Sequence, residues 1–194
     1  MRIRDFFGKR AQEQVLGTKV LLASLNPKFA ELLEADCRCY AEFYRAPTVA
    51  IGENAQELLR AIGQGYDIVH LFCDVSSNGV IRDGRGNEIS CADLIARCLE
   101  CDVKLLWLAS ESSPTEYAKG WRAAAGKPLN LVLTVERKGS QFAIFLGSLL
   151  RKMTAGEAMP VAWASLSPQN SDDPGNRNAP ACIFVAGGGQ VTFR

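Results

Sequence analysis

The sequence predicts an α/β fold with a mostly parallel central sheet flanked by helices, and three observations carry that expectation. Apolar segments of strand length alternate with segments of helical period along most of the 194 residues. The segment 67–73 is apolar almost throughout, as a central strand covered on both faces must be. After five such strand and helix units the chain still carries another helix and a closing strand.

The first strand is expected at Lys19 to Ala23. Asn26-Pro27 then supplies a cap and a first-turn proline for a helix with Phe29, Leu32, Leu33 and Tyr40 on one face. Thr48 to Ile51 reads as the second strand, and Asn54 to Ile62 as a helix with Leu58, Leu59 and Ile62 in register. The third strand, Asp67 to Cys73, gives way to a polar, glycine-rich stretch with turns at Asp83-Gly84 and Gly86-Asn87, which predicts a small hairpin or arm. Ser90 caps the next helix, whose Leu94, Ile95 and Cys98 face inward, and Lys104 to Leu108 is the fourth strand. Ser113-Pro114-Thr115-Glu116 is a capping box that opens a helix carrying Tyr117 and Trp121. Asn130 to Val135 is the fifth strand, and from Ser140 a helix buries Phe142, Phe145, Leu146, Leu149 and Leu150. A helix at Pro160 to Leu166, a polar, proline-rich loop at 167–180, a strand at Ala181 to Ala186, a glycine turn and a last hairpin partner at Gln190 to Phe193 complete the chain.

This length suits one domain over 1–194, with 1–17 as an N-terminal extension. Its Arg2, Arg4, Lys9 and Arg10 read as a solvated tail. Basic residues number 22 and acidic ones 21, so the excess of positive charge that drives general nucleic-acid binding is missing. The longest apolar stretches, such as Phe142 to Leu150, fall short of the roughly 20 residues a bilayer requires. The opening residues lack the apolar core of a secretion signal, so no membrane partner and a cytoplasmic chain are expected. In that reducing setting the seven cysteines read as small buried apolar residues. Cys37 and Cys39 with Cys98 and Cys101 could supply four thiolates to zinc, yet both pairs sit in helical patterns, and neither a metal nor a cofactor is expected.

The order of motifs resembles the CHAT domains, bacterial relatives of the caspases. Tyr66-Asp67-Ile68-Val69-His70-Leu71 is similar to the family's histidine-bearing strand. Asp83-Gly84, Ile89-Ser90 and Asp93-Leu94 resemble its next stretch, and Lys104 to Ser112 falls where the family ends a strand in its catalytic cysteine. Gly156 to Ala162 and Ala181 to Gly187 resemble its late helix start and closing strand. The resemblance covers most of the chain and implies a caspase-like three-layer sandwich with an antiparallel C-terminal edge.

Active members of the family pair a histidine with a cysteine at the carboxyl ends of adjacent strands, the imidazole assisting a thiolate nucleophile. Aligned without gaps, the catalytic histidine position falls on Asp74 and the nucleophile position on Glu111, or on Ser110 after a shift of one. His70, the only histidine, takes the place of the family's first, strand-borne histidine. Cys73 and His70 are expected to diverge, since residues three apart along a strand point to opposite faces, which favours structural roles for both over a relocated pair. His70 is expected buried and hydrogen-bonded, a charged ring there being disfavoured by desolvation. The resemblance therefore implies a catalytically inactive module that binds a protein partner or self-assembles.

Asp74, Glu111 and Glu136 follow the third, fourth and fifth strands, and the carboxyl edge of an open parallel sheet is where ligands bind. With Ser110 they mark the expected binding rim, from which the glycine-rich arm 76–88 rises; the bland reading is solvated loop acids. Two other readings remain open: a residual hydrolase using Ser110 or Cys73, and a receiver-like or metal- or small-molecule-binding sensor built on the acidic rim. The receiver pattern fits poorly, because Ser24-Leu25-Asn26 replaces its acidic pair and Phe72 its phosphoacceptor.

Overall fold

The computed structural model describes residues 13–16, 19–43, 47–51, 54–76, 78–109, 129–135, 139–167, 180–186 and 190–193. In chain order the strands are β1 (Glu13–Leu16), β2 (Val20–Ser24), β3 (Thr48–Ile51), β4 (Ile68–Phe72), β5 (Val80–Arg82), β6 (Glu88–Ser90), β7 (Leu105–Ala109), β8 (Asn130–Val135), β9 (Ala181–Ala186) and β10 (Gln190–Phe193). The helices are α1 (Ala30–Phe43), α2 (Ala55–Ile62), α3 (Cys91–Glu100), α4 (Phe142–Thr154) and α5 (Met159–Leu166). The central sheet has six strands in the order β3-β2-β4-β7-β8-β9. Its first five are parallel, and β9 closes the edge antiparallel to β8, Asn130 facing Ala186 and Val135 facing Ala181. The fold is a three-layer α/β sandwich with a mostly parallel sheet and an antiparallel C-terminal edge.

Local chemistry explains the elements. Asn26 accepts the Lys28 N–H, Pro27 opens a single 3-10 turn, and α1 continues from it. Asn54 caps α2 in the same way, and Ser90 caps α3 by accepting the Asp93 N–H at 3.0 Å while its hydroxyl donates to the Asp93 carboxylate at 2.7 Å. Every residue of β2, β4 and β7 is buried, as central strands of a parallel sheet require.

Strand alternation feeds two separate cores. Leu21, Ala23, Val69, Leu71, Cys73, Leu106, Leu108 and Leu131 pack against α2, α3 and the β5–β6 hairpin. Val20, Leu22, Ile68, Phe72, Leu105, Trp107 and Val132 pack against α1, α4 and α5. On α4, Phe142, Phe145, Leu146, Leu149 and Leu150 form the expected buried stripe, extended by Met153.

Three expectations need correction. β10 does not return on β9 as a hairpin; it pairs in parallel with β1, Glu13 opposite Gln190 through Leu16 opposite Phe193. Four residues of the expected N-terminal extension thus belong to a strand, because the two chain ends supply each other's hydrogen bonds. The glycine-rich segment is a hairpin, but it does not rise from the sheet edge. Ile81 and Ile89 point one way from it, both buried with Val75, and that apolar face holds it against the α2–α3 core. The capping box at 113–116, with its Tyr117 and Trp121 helix, lies outside the described residues, as do 1–12 and almost all of the loop 167–180.

Candidate functional site

The helix after β2 lies on one face of the sheet and the helices after β3 and β4 lie on the other. The carboxyl ends of the neighbouring strands β2 and β4 are therefore a topological switch point, where open α/β sheets form their binding crevice. Here the protein's own groups bridge it. The Leu25 N–H donates to the Phe72 carbonyl at 3.4 Å, continuing the β2–β4 pairing past the strand ends. The Ser24 hydroxyl donates to the Asn26 carbonyl at 2.7 Å and fixes the turn into α1. Across the opening the Lys28 ammonium pairs with the Asp74 carboxylate, both side chains about half exposed. Lys28 also lies 4.7 Å from the centre of the Phe29 ring, whose π-face favours the cation.

The loop after β5 closes in from the side. A Cβ at Gly84 would sit 3.6 Å from the Pro27 ring, an ordinary van der Waals contact, so this loop packs directly beside the β2–α1 turn. Asp83 anchors the loop. It accepts from the N–H groups of Ala55, Arg85 and Asn87 and from the Asn87 amide, at 2.8 to 3.1 Å, and so holds the N-terminal end of α2. Burial opposes its ionisation, but these hydrogen bonds outweigh burial and hold its carboxyl down to about 2.

Of the residues expected to form the rim, Asp74 is placed at this opening. Ser110, Glu111 and Glu136 lie outside the described residues; of the strands before them, β7 runs parallel beside β4 and β8 parallel beside β7. Asp74 is not a bare acid on an acidic rim, since Lys28 neutralises it.

Cys73 follows β4 fully buried among the α2–α3 core, whereas His70 faces the opposite layer, so the two diverge as strand alternation requires. Burial first, then the neighbouring Cys91 and Asp74, push the Cys73 thiol well above its ordinary range, the reverse of what a nucleophile needs. Burial also raises Cys91 to about 11 and Cys98 to about 12. Cys37 and Cys39 pack with the core under α1, and Cys98 and Cys101 with the core on the other face, so the sheet separates the two pairs considered for zinc.

His70 is fully buried, as expected, with its Nδ1 3.1 Å from the Tyr40 hydroxyl. Two residues of this region escape a search for motifs. Lys28 sits in a first helical turn, where the helix dipole disfavours a cation, and nothing local in the sequence points to its partner Asp74. Asp36 stands three residues after Leu33 and four before Tyr40, on the buried face of α1. A scan of this chain against protein-family models gives no match, and a search of curated proteins gives none.

Proposed function

We propose that this chain is a caspase-like module of the CHAT type without its catalytic dyad, acting through a protein partner or through self-assembly. The observation that carries the reading is at the switch point. Where the resemblance puts a catalytic histidine stands Asp74, neutralised by Lys28, while the sole histidine is buried two strand positions before the end of β4. A carboxylate held by an ammonium is a poor base for a thiol or a hydroxyl. The crevice is bridged by the protein's own side chains, which suits a surface that meets another protein better than a pocket for a small substrate.

The antiparallel sixth strand supports the caspase-like reading over the receiver-like one. The order of the first five strands is shared with flavodoxin-like folds, but those end at the fifth. Phe72, where a receiver would carry its phosphoacceptor, is fully buried.

The decisive experiment combines activity-based labelling of cysteine and serine with a pull-down from the native host. No labelling by either probe and no cleavage of a peptide library are expected, and the double change Asp74→Lys with Glu111→Lys should weaken capture by about 1–3 kcal/mol. Peptide turnover abolished by Cys73→Ala or Ser110→Ala would overturn the reading. Capture insensitive to the charge reversal but lost on shortening 167–180 would move the surface elsewhere.

A further inference from the structure

The root of the β5–β6 hairpin carries a reactive junction that the proposed function does not use. Asn78 is the only asparagine of the chain followed by a glycine, Gly79. Glycine has no Cβ to block the approach of the preceding side chain, so its backbone nitrogen can reach the Asn78 amide carbon. Asn78 is exposed, and Gly79 takes a φ of 74°. The Ser76 hydroxyl donates to Asn78 Oδ1. Its other acceptor, the Val80 carbonyl at 2.9 Å, already receives the Ser76 N–H at 2.9 Å and does not need the hydroxyl proton.

Neighbouring chemistry sets this junction apart among the described residues. Asn26 precedes Pro27, which has no N–H, while Asn54, Asn87 and Asn130 precede Ala55, Glu88 and Leu131, whose side chains hinder the approach. Asp83-Gly84, at the tip of the same hairpin, has the glycine, but ring closure there starts from the neutral acid. Four hydrogen bonds keep the Asp83 carboxylate ionised and fixed. The hydroxyl at Asn78 does the opposite, since a donor on Oδ1 stabilises the negative charge that grows on that oxygen as the amide carbon becomes tetrahedral.

We infer that Asn78 is a site of self-modification, at which the Gly79 nitrogen displaces the side-chain amide with help from Ser76 and a carboxylate is left at the hairpin root. The Gly79 nitrogen gives up its proton and bonds to Asn78 Cγ. The Cγ–Nδ2 bond breaks, and that nitrogen leaves as ammonia with the proton. Water then opens the succinimide ring at either carbonyl, giving an aspartyl or an isoaspartyl residue at position 78. The Gly79 N–H donates to the Ser76 carbonyl at 2.9 Å, and attack requires that bond to open, a local event at a surface turn. In the isoaspartyl product the backbone runs through the former side chain and is longer. The bonds that root the hairpin, Ser76 N–H to the Val80 carbonyl and Cys91 N–H to the Gly79 carbonyl, both 2.9 Å, then cannot both be kept. Modification thus adds a negative charge and loosens the hairpin from the start of α3. None of this depends on whether the surface binds a partner.

Peptide mapping by mass spectrometry tests this on the full chain, aged in mildly alkaline buffer both folded and in concentrated urea. In the folded chain the mass gain of amide-to-acid conversion should appear at position 78 at least about tenfold faster than at Asn54 or Asn87, and an isoaspartyl methyltransferase should label the product. Ser76→Ala should slow the conversion at least about threefold in the folded chain and leave it unchanged in urea, where no hydroxyl is held on Oδ1. Amide exchange in the hairpin should quicken as the unaltered chain ages. It should stay constant in Asn78→Gln, whose longer side chain would have to close a larger ring. If Ser76→Ala fails to fold, the ageing of the unaltered chain and of Asn78→Gln still decides. An Asn78 that survives in the folded chain while converting in urea, a folded Ser76→Ala that converts as fast as the unaltered chain, or a hairpin whose exchange ignores the ageing would each overturn the assignment.

Discussion

The two faces of the same sheet are built from different materials. Against α2 and α3 the buried side chains are leucine, isoleucine, valine, alanine and cysteine, with Tyr66 the one aromatic ring among those described. Against α1, α4 and α5 they include Phe29, Tyr40, Phe72, Trp107, Phe142, Phe145 and Trp163, and this is the face that buries Asp36, His70 and Thr134. Aliphatic packing is non-directional and tolerates exchange at constant volume. Stacked rings and buried hydrogen bonds are directional and fix how a helix sits on a strand. Adjacent residues of one strand therefore do different work: Leu106 fills space, whereas Trp107 stacks on His70 and donates its Nε1–H to the Thr134 hydroxyl at 2.7 Å.

The largest test of that contrast is truncation on either side of β7. Trp107→Ala is expected to cost about 4–5 kcal/mol and Leu106→Ala about 2–4, both read by urea unfolding. The distinguishing outcome lies in the repair. Leu106→Met should recover most of the loss, while Trp107→Leu should not, because no aliphatic group replaces the stack or the hydrogen bond. Equal repair at both positions would erase the proposed difference between the faces.

Asp83 is the exception that sharpens the comparison, being a directional anchor on the aliphatic side. Its carboxyl is held down to about 2 in the folded chain, against about 3.9 in the unfolded one. Because the folded value is the lower, its contribution is complete above pH 4 and is lost as pH falls through 2. Asp83→Ala should destabilise by about 2 kcal/mol at pH 7 and by far less at pH 2, measured as unfolding midpoints at the two values. An equal loss at both would mean that volume, and not charge, is what Asp83 provides.

A smaller effect is expected on the aromatic face. Thr134→Val keeps the shape and removes the acceptor of the Trp107 N–H, leaving a buried donor unpaired at a cost of about 1–2 kcal/mol. Indole fluorescence should shift with it, even though no contact area is lost.

The same contrast explains what could be read from the sequence. Strand runs at 48–51, 130–135 and 181–186 coincide with β3, β8 and β9 because apolar runs bounded by turn residues are local signals. The pairing of β1 with β10 joins opposite ends of the chain and leaves no local trace. The hairpin was legible from its turns, yet its docking depends on Ile81 and Ile89 facing one side together. At the switch point Asp74 was legible from its place after a strand. Lys28 answers it across 46 residues of sequence, a distance at which charge pairing has no pattern. Asp36 does follow the helical period, but a search for apolar periodicity passes over a charge.

The smallest expected effect falls at the switch point itself. Lys28→Met keeps the stem of the side chain over Phe29 and removes only the ammonium. The ion pair it breaks is about half exposed and screened by water and salt, so the unfolding free energy should change by less than about 1 kcal/mol. Removing the cation should instead alter what the surface attracts. With Asp74 unmasked, a basic partner ought to bind more tightly and an acidic one more weakly, the difference fading as salt rises. A large loss of stability with no change in capture would reassign the pair from the surface to the scaffold, and would place it with Asp83 as a directional anchor of the fold.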